Sequence, residues 1–499
     1  MSRTLKFEQE ARADEARARP GARPAQAFRL AEGGLIDRAR TLAFRFDGGE
    51  YQGHPGDTLA SALLANGVRL VGRSFKYHRP RGVFTAGSEE PSALVQLGEG
   101  ARVAPNTRTT MVDLFDGLVA SSQNRWPSLA FDLMALNGLL APIFPAGFYY
   151  KTFMWPAGFW EPLYERLIRR AAGLGEGPRA PDPDRYERRH AQCDVLVIGA
   201  GPAGLAAALA AGRSGARTIL VDEDPRLGGR LLAERLELDG RPALDWAAAS
   251  KAELASLPEV DLLPRTTALG YYDDNLVALA ERATDAAPSA DSWTPRQRVW
   301  TVRAREVVLA TGAIERPLVV PGNDRPGVML AGAARSYLNR FAVAPGRRAV
   351  VFAGCDDAYR TALDLAAAGL EVAAVIDPRP NAEGPLPAAA GAAGIEVLPG
   401  HAVSRTFGRL GLSAIEITPL EGGAARSARR IACDLCAVSG GWQPALHLSS
   451  QTGVRPVWDA DLKAFRPGAP RQRERSAGAA AGRLDLAACL ASGFAAGAE

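Results

Sequence analysis

The rhythm of apolar and polar positions changes several times along the chain, and each change marks an element. Residues 42–51 (LAFRFDGGEY) alternate around an Asp47-Gly48-Gly49 turn, which predicts a β-hairpin. Residues 57–66 (DTLASALLAN) place apolar residues at helical spacing behind Asp57 or Thr58 as N-cap. A basic loop, 73–82, and a strand, 93–97, follow. Residues 121–160 are rich in Trp, Phe, Tyr, Pro and Leu, and 171–189 form a Gly/Pro/Arg linker. From residue 194 onward, short apolar runs alternate with helical patterns. Strands are predicted at 194–198, 218–221, two within 261–275, a meander at 299–306, and buried strands at 306–312, 348–354, 371–377 and 431–441. Helices are predicted at 205–215, 244–257, 357–369 and 485–493.

This order predicts an α/β chain. A β-grasp, ferredoxin-like domain spans 27–110, and an aromatic and Pro-rich connector spans 111–190. A dinucleotide-binding Rossmann-type domain is built from 191–322 and 425–499. A second, degenerate Rossmann-like domain spans 323–424, completing an architecture like that of the two-dinucleotide flavoproteins. Residues 1–26 are charged, lack an apolar h-region and read as a disordered extension. A ferredoxin of plant type needs four thiolates. The 27–110 segment has no cysteine, so the domain is expected to be structural and free of a cluster.

The candidate chemistry sits at Gly199-Ala200-Gly201-Pro202-Ala203-Gly204, between a buried strand and a helix. Gly199 permits the tight turn, Gly201 admits a pyrophosphate close to the backbone, and Gly204 lets helix and strand pack. The helix N-terminus then faces the phosphates. Asp222, with Glu223 beside it, ends the next strand where an acid bonds ribose hydroxyls, which favours NAD over NADP. Gly229 and Arg230 lie near a second phosphate contact. Thr311 and Gly312 end the strand that returns beneath the nucleotide, and residues 479–486 are expected to close over it.

The second βαβ unit keeps the rhythm but not the chemistry. Its loop reads Gly354-Cys355-Asp356-Asp357-Ala358-Tyr359, with a carboxylate and a tyrosine at the second and third glycine positions, so an empty scaffold is expected. Cys433 and Cys436 fall on a predicted strand, where a spacing of three turns them to opposite faces; they read as structural thiols. The five histidines (54, 78, 190, 401 and 447) are scattered and read as structural, and no catalytic group stands out. Of 499 residues, 23% are charged and the net charge is +4, too small to indicate nucleic acid. The aromatic stretch is interrupted by Asp132, Pro142, Pro145, Lys151 and Pro156 and is no membrane span; it reads as a packed connector or a subunit interface. Five cysteines in so long a chain, with no secretory signal, point to a reducing, cytoplasmic setting. The basic loop with Arg73, Lys76, His78, Arg79 and Arg81 reads first as solvated or salt-bridged, and second as a docking surface or phosphate contact.

Together, HPGDTLASALLANGV (54–68), GRSFKYHRPRG (72–82), DGLVASSQNRWPSL (116–129), PAGFYYKTFMWP (145–156), the GAGPAG loop and AVSGGWQPALHLSSQTG (437–453) resemble the alpha subunit of heterotetrameric sarcosine oxidase, over about residues 27–499. The resemblance implies NAD held noncovalently in this chain, FAD in a beta partner, FMN at the alpha–beta interface, and small gamma and delta chains. It implies oxidation of the N-methyl group of sarcosine, a small secondary amine, with transfer of the one-carbon unit to tetrahydrofolate and release of glycine and hydrogen peroxide. Carried over by position, the NAD contacts fall at Ala203, Asp222, Glu223, Asp224, Arg230, around Ala268, and at Ala479, Leu484 and Leu486. The resembling chains continue into a folate-binding half, which would begin where this chain stops at Glu499. The expected explanations are a fragment, a split gene or a relative that does not use folate. Opine oxidase and hydrogen cyanide synthase subunits are shorter relatives of the same kind.

Three functions follow from these readings. The first is a NAD-binding subunit of a flavin-dependent sarcosine or related amine oxidase, with catalysis on the partner. The second is a self-sufficient FAD/NAD(P)H oxidoreductase, which would need both glycine loops intact. The third is a non-catalytic assembly protein stabilised by its nucleotide.

Overall fold

The computed structural model describes residues 26–142, 155–171, 173, 175–285, 293–421 and 428–499. Residues 1–25 of the extension expected to be disordered and most of the 145–156 motif therefore lie outside the described residues, whereas Gln26 is held by Asn66, His54 and Arg29.

The first sheet is a β-grasp. In it the order is Gly49–Gly53, Leu42–Phe46, Leu118–Ser122, Leu94–Leu97, Ala104–Arg108. The hairpin pairs Phe46 with Gly49, leaving Asp47 and Gly48 at φ 49° and 78° as its two turn residues. Positive φ at both positions matches the strand twist. Helix Leu59–Ala65 is capped by Thr58 in a reciprocal capping box with Ser61, and all seven of its residues are buried. Asp57, the other candidate cap, is instead paired with Arg29 (Nη2–Oδ2 2.6 Å). The strand Leu118–Ser122 runs parallel to Leu42–Phe46 in the middle of this sheet, although the sequence places it in the connector. Its separation of some seventy residues from its partner gave no local signal.

The second sheet belongs to the unit carrying the glycine loop. Its order is Val260–Leu263, Thr218–Val221, Tyr186–Ile198, Gln297–Leu309, Leu276–Arg282, Thr266–Tyr272, with Glu474–Ser476 added to Gln297–Leu309. Two features differ from expectation. The meander strand and the returning strand are one 13-residue strand, Gln297–Leu309. Its partner, also of 13 residues, begins at Tyr186 inside the expected linker. The first residues of Tyr186–Ile198 are polar and mostly exposed, with Glu187 bonded to Arg298 (2.7 Å) and Arg189 over the Trp300 ring, so no apolar alternation betrayed that start.

The third sheet is fully parallel, in the order Val328–Leu330, Leu435–Ser439, Arg348–Ala353, Glu371–Asp377, Val397–Pro399. Leu435–Ser439 sits between two strands of the second unit, so that unit reaches past the expected boundary at 424. A separate three-stranded antiparallel meander, His401–Phe407, Ala414–Pro419 and Arg429–Ala432, follows in the same unit. Cys433 and Cys436 are both fully buried, Cys433 between two strands rather than on one. Burial pushes the Cys436 thiol up to about 12 and also raises Cys433, which makes both poor nucleophiles. One hydrophobic cluster runs from the β-grasp helix (Leu59, Leu63) to this sheet (Val351, Leu435), so the two units share a core. No helix among the described residues is long and apolar enough to cross a membrane.

Candidate functional site

A cleft of about 810 Å³ opens where all three units meet. Its floor is the turn between strand Tyr186–Ile198 and helix Pro202–Arg213. Gly199 holds φ 99°, and a Cβ there would lie 2.3 Å from the Ala310 carbonyl oxygen. A Cβ on Gly204 would lie 1.7 Å from the Gly199 oxygen, so only glycine allows this helix to start so close to the strand. Gly229, at φ 55°, approaches Gly201 equally closely, since a Cβ there would be 2.7 Å from the Gly201 Cα. The helix opens with Pro202 at its first turn, where no N–H is needed, and directs its positive end into the cleft.

Most of the candidate residues line this cleft: Gly199, Gly201, Pro202, Ala203, Asp222, Glu223, Asp224, Gly229, Arg230, Ala268, Thr311, Gly312, Ala479, Leu484 and Leu486. Ala200 and Gly204 do not; they lie beneath the surface and shape it. Three side chains do something other than the sequence suggests. Asp222 accepts hydrogen bonds from Ala200 N (2.6 Å) and Asp224 N (2.8 Å). Its carboxylate thereby braces the glycine loop instead of standing free. Desolvation pushes it up to about 7, against those two backbone donors. Asp224 forms a bidentate pair with Arg340 (Oδ1–Nη2 2.8 Å). Arg230 lies over the Trp442 ring (3.8 Å) and bonds Asp357 (3.1 Å), so its charge is spent on the junction between the two βαβ units. Of the acids ending strand Thr218–Val221, Glu223 is the one whose carboxylate meets the β-grasp unit: it accepts from Ser88 Oγ (2.8 Å).

Sequence reasoning missed two groups of cleft residues. Thr58, Ser88, Glu89, Met111 and Asp113 come from the β-grasp unit, more than a hundred residues before the acids they face. Glu315 comes from the exit of the returning strand. It is 5% exposed, accepts from Gly332 N (2.7 Å), and leaves Oε1 without a hydrogen-bond partner. Burial raises its carboxyl to about 7, while the Ser439 hydroxyl and Gly332 N–H pull it the other way.

The second loop is closed from within. Asp377 ends the strand after it, in the place Asp222 takes in the first unit. It is fully buried, accepts from Tyr359 Oη (2.7 Å), and pairs with Arg379 (Nη2 2.7 Å), which also reaches Asp356 (2.7 Å). The tyrosine at the third glycine position and this arginine thus bind the terminal aspartate with side chains, where the first unit uses backbone N–H groups.

Part of the basic loop is tied inward, while Phe75 and Arg79 stay exposed. Arg73 donates to the Leu129 and His78 carbonyls, and His78 Nδ1 meets Asp132 (2.7 Å). Arg81 pairs with Asp324 of the second unit (3.1 Å).

Residues 39–125 match the family described as 2Fe-2S iron-sulfur cluster binding domain, and 194–259 match the FAD dependent oxidoreductase family. Residues 39–125 contain no cysteine, and Arg73, His78 and Asp132 fill the loop region, so the residues present do not fit an iron–sulfur cluster. The structure shares its fold with L-proline dehydrogenase from P. horikoshii (TM-score 0.63, 19% identity, 95% of this chain and 74% of that one). Sarcosine oxidase subunit alpha of Rhizobium meliloti (strain 1021) is 53% identical over 94% of this chain and 46% of the relative. The subunit alpha of Corynebacterium sp. (strain P-1) is 40% identical over 93% and 44%. The chain thus spans just under half the length of these relatives. Across that span it is a homologue of the sarcosine oxidase alpha subunits.

Proposed function

We propose that the chain is the dinucleotide-holding, alpha-type subunit of a multi-subunit, flavin-dependent amine oxidase acting on sarcosine or a similar small secondary amine. The observation that carries the reading is the contrast inside one molecule: one open glycine-loop cleft and one plugged counterpart. A self-sufficient flavin enzyme reduced by a nicotinamide cofactor needs two dinucleotide sites, and among the described residues one glycine loop is intact.

In this reading the cleft holds NAD. The Gly199–Gly204 turn and the N-terminus of its helix take the pyrophosphate, and Glu223 faces the adenosine ribose. Residues Thr311, Gly312, Ala479, Leu484 and Leu486 border the other half. A nicotinamide ring supplies hydride chemistry only where a substrate meets its reactive carbon. The cleft's buried acids, Asp222 and Glu315, are engaged with backbone N–H groups of the protein itself, which supports a structural nucleotide. Oxidation of the amine, with peroxide as product, then belongs to a flavin-bearing beta partner, with FMN between the chains. Tetrahydrofolate enters only with a folate-binding half.

An apolar surface supports such a partner. Phe75, Trp126, Phe131, Leu136, Leu139 and Trp155 all expose more than half of their area. A cluster of this kind is a signature of a protein contact.

The test is to purify the chain alone and with candidate flavin-bearing partners, and to identify cofactors by mass spectrometry. The expected result is NAD with the chain alone and no amine or NADH oxidase activity. Sarcosine oxidation with peroxide should require the partner. Robust turnover by the isolated chain, with a flavin on the glycine loop, favours the self-sufficient oxidoreductase instead.

A further inference from the structure

The β-grasp unit has kept the fold of an electron-transfer domain without the thiolates that chemistry needs, yet it packs against the adenosine end of the cleft at several fixed points. Arg265 pairs with Asp113 (2.7 Å). Arg282 donates to the carbonyls of Met111 in one unit and Glu223 in the other (2.7 Å to Glu223). Ser88 Oγ donates to the Glu223 carboxylate (2.8 Å). Glu89, next to Ser88, also lines the cleft and is exposed to it. Its carboxylate folds across Gly87, where a Cβ would lie 2.5 Å from Glu89 Oε2. Glycine at 87 therefore makes room for that carboxylate.

Since Asp222 is turned into the glycine loop, the carboxylates left facing the cleft here are Glu223 and Glu89, one from each unit. We infer that the β-grasp unit forms the wall of the adenosine-ribose subsite, with Ser88 orienting Glu223 and Glu89 acting as a second carboxylate that selects a free 2′-hydroxyl against a 2′-phosphate. This rests on the reading of the cleft as a dinucleotide site. A ribose diol donates hydrogen bonds, which carboxylates accept; a phosphate dianion is repelled by them. Desolvation and the neighbouring charge of Glu223 both hold Glu89 above the usual carboxylate range, with Arg108 pulling the other way. The guanidinium groups lining this end are already committed, Arg282 to two carbonyls and Arg340 to Asp224 (2.8 Å), so they do not offer a phosphate clamp.

The experiment is calorimetric titration of the nucleotide-stripped full chain with NAD, NADP, ADP-ribose and 2′-phospho-ADP-ribose. The native chain is expected to favour each unphosphorylated ligand strongly. Glu89→Gln, an exposed and shape-conserving change, should narrow the discrimination about tenfold or more, the scale of one charge–charge repulsion at a partly solvated site. NAD affinity should fall with the lost carboxylate while NADP affinity rises, so the ratio of the two is the readout. Ser88→Ala should weaken NAD and ADP-ribose alike by freeing Glu223. An unchanged preference in Glu89→Gln, or a native chain that binds both phosphorylation states equally, overturns the inference. A native chain that binds neither NAD nor ADP-ribose overturns the dinucleotide reading on which it stands.

Discussion

The two βαβ units at residues 194–222 and 348–377 are built alike and filled differently. Each has a parallel strand, a tight loop, a helix and a second parallel strand ending in aspartate. In the first, glycines keep the backbone bare, and the terminal aspartate turns back to hold the loop. In the second, the side chains of Tyr359 and Arg379 converge on the terminal aspartate. The backbone rhythm that builds a nucleotide fold is therefore separable from the few positions that make it a nucleotide site. Two residues in the loop, Asp356 and Tyr359, and one arginine after the second strand mark the difference between the two units.

The comparison breaks most visibly if the plug is pulled. Arg379→Met leaves Asp377 buried without its cation and should cost about 3–5 kcal/mol of stability, read as a fall in the denaturant midpoint. A negligible change would mean that the network is ornamental. On the other side, Gly204→Ala forces a Cβ into the Gly199 carbonyl. It should cost about 3 kcal/mol and abolish nucleotide retention together. Normal nucleotide content in that variant would show that the loop tolerates what the second unit has.

Glu315, at the seam between the units, gives a pH signature. Its folded-state carboxyl sits near 7, above its unfolded value, so the folded chain keeps a proton that the unfolded chain loses between about pH 4 and 7. Stability from this group is present below that window, falls as pH rises through it, and levels off above. Glu315→Gln should flatten the profile and gain roughly 3 kcal/mol relative to the native chain at pH 8, with Asp222 leaving a residual slope of the same sign. Parallel melting curves from pH 5 to 8 check it.

Asp222→Ala frees Ala200 N and Asp224 N and should loosen the loop, weakening nucleotide retention by about 1–3 kcal/mol. Unchanged NAD content would end its role in the site. The smallest effect is expected from Asp356→Ala, which removes a half-exposed contact of Arg379 in the closed unit and should leave nucleotide stoichiometry untouched. Loss of a bound dinucleotide there would reverse the comparison.

What could be read from the residues followed the range of their interactions. The hairpin, the capped helix, the glycine loop and the spoiled second loop all rest on neighbours in sequence, and their patterns were visible. Leu435–Ser439 was apolar enough to read as a strand and Leu118–Ser122 was not, and the sheets of both are fixed by partners far away in the chain. The polar first half of Tyr186–Ile198 had no apolar alternation to find, and the meander and the returning strand gave no sign that they are one strand. In the site, the floor was legible and the wall was not. Ser88 and Glu89 look like ordinary turn residues until folding sets them opposite Glu223. Asp222 sat in the expected place, but its hydrogen bonds to the loop only a structure could reveal.

The core shared by the β-grasp helix and the second sheet bears on how the chain comes apart. Leu59, Leu63, Val351 and Leu435 belong to one buried cluster, and Tyr337 Oη bonds the Thr85 carbonyl (2.7 Å) across the same seam. Detaching the first hundred or so residues would strip the second unit of part of its own interior. Cooperativity should follow the shared core rather than the order of units along the chain. Heating or denaturant should melt these two regions in a single transition, and amides on both sides of the seam should exchange their hydrogens with similar protection.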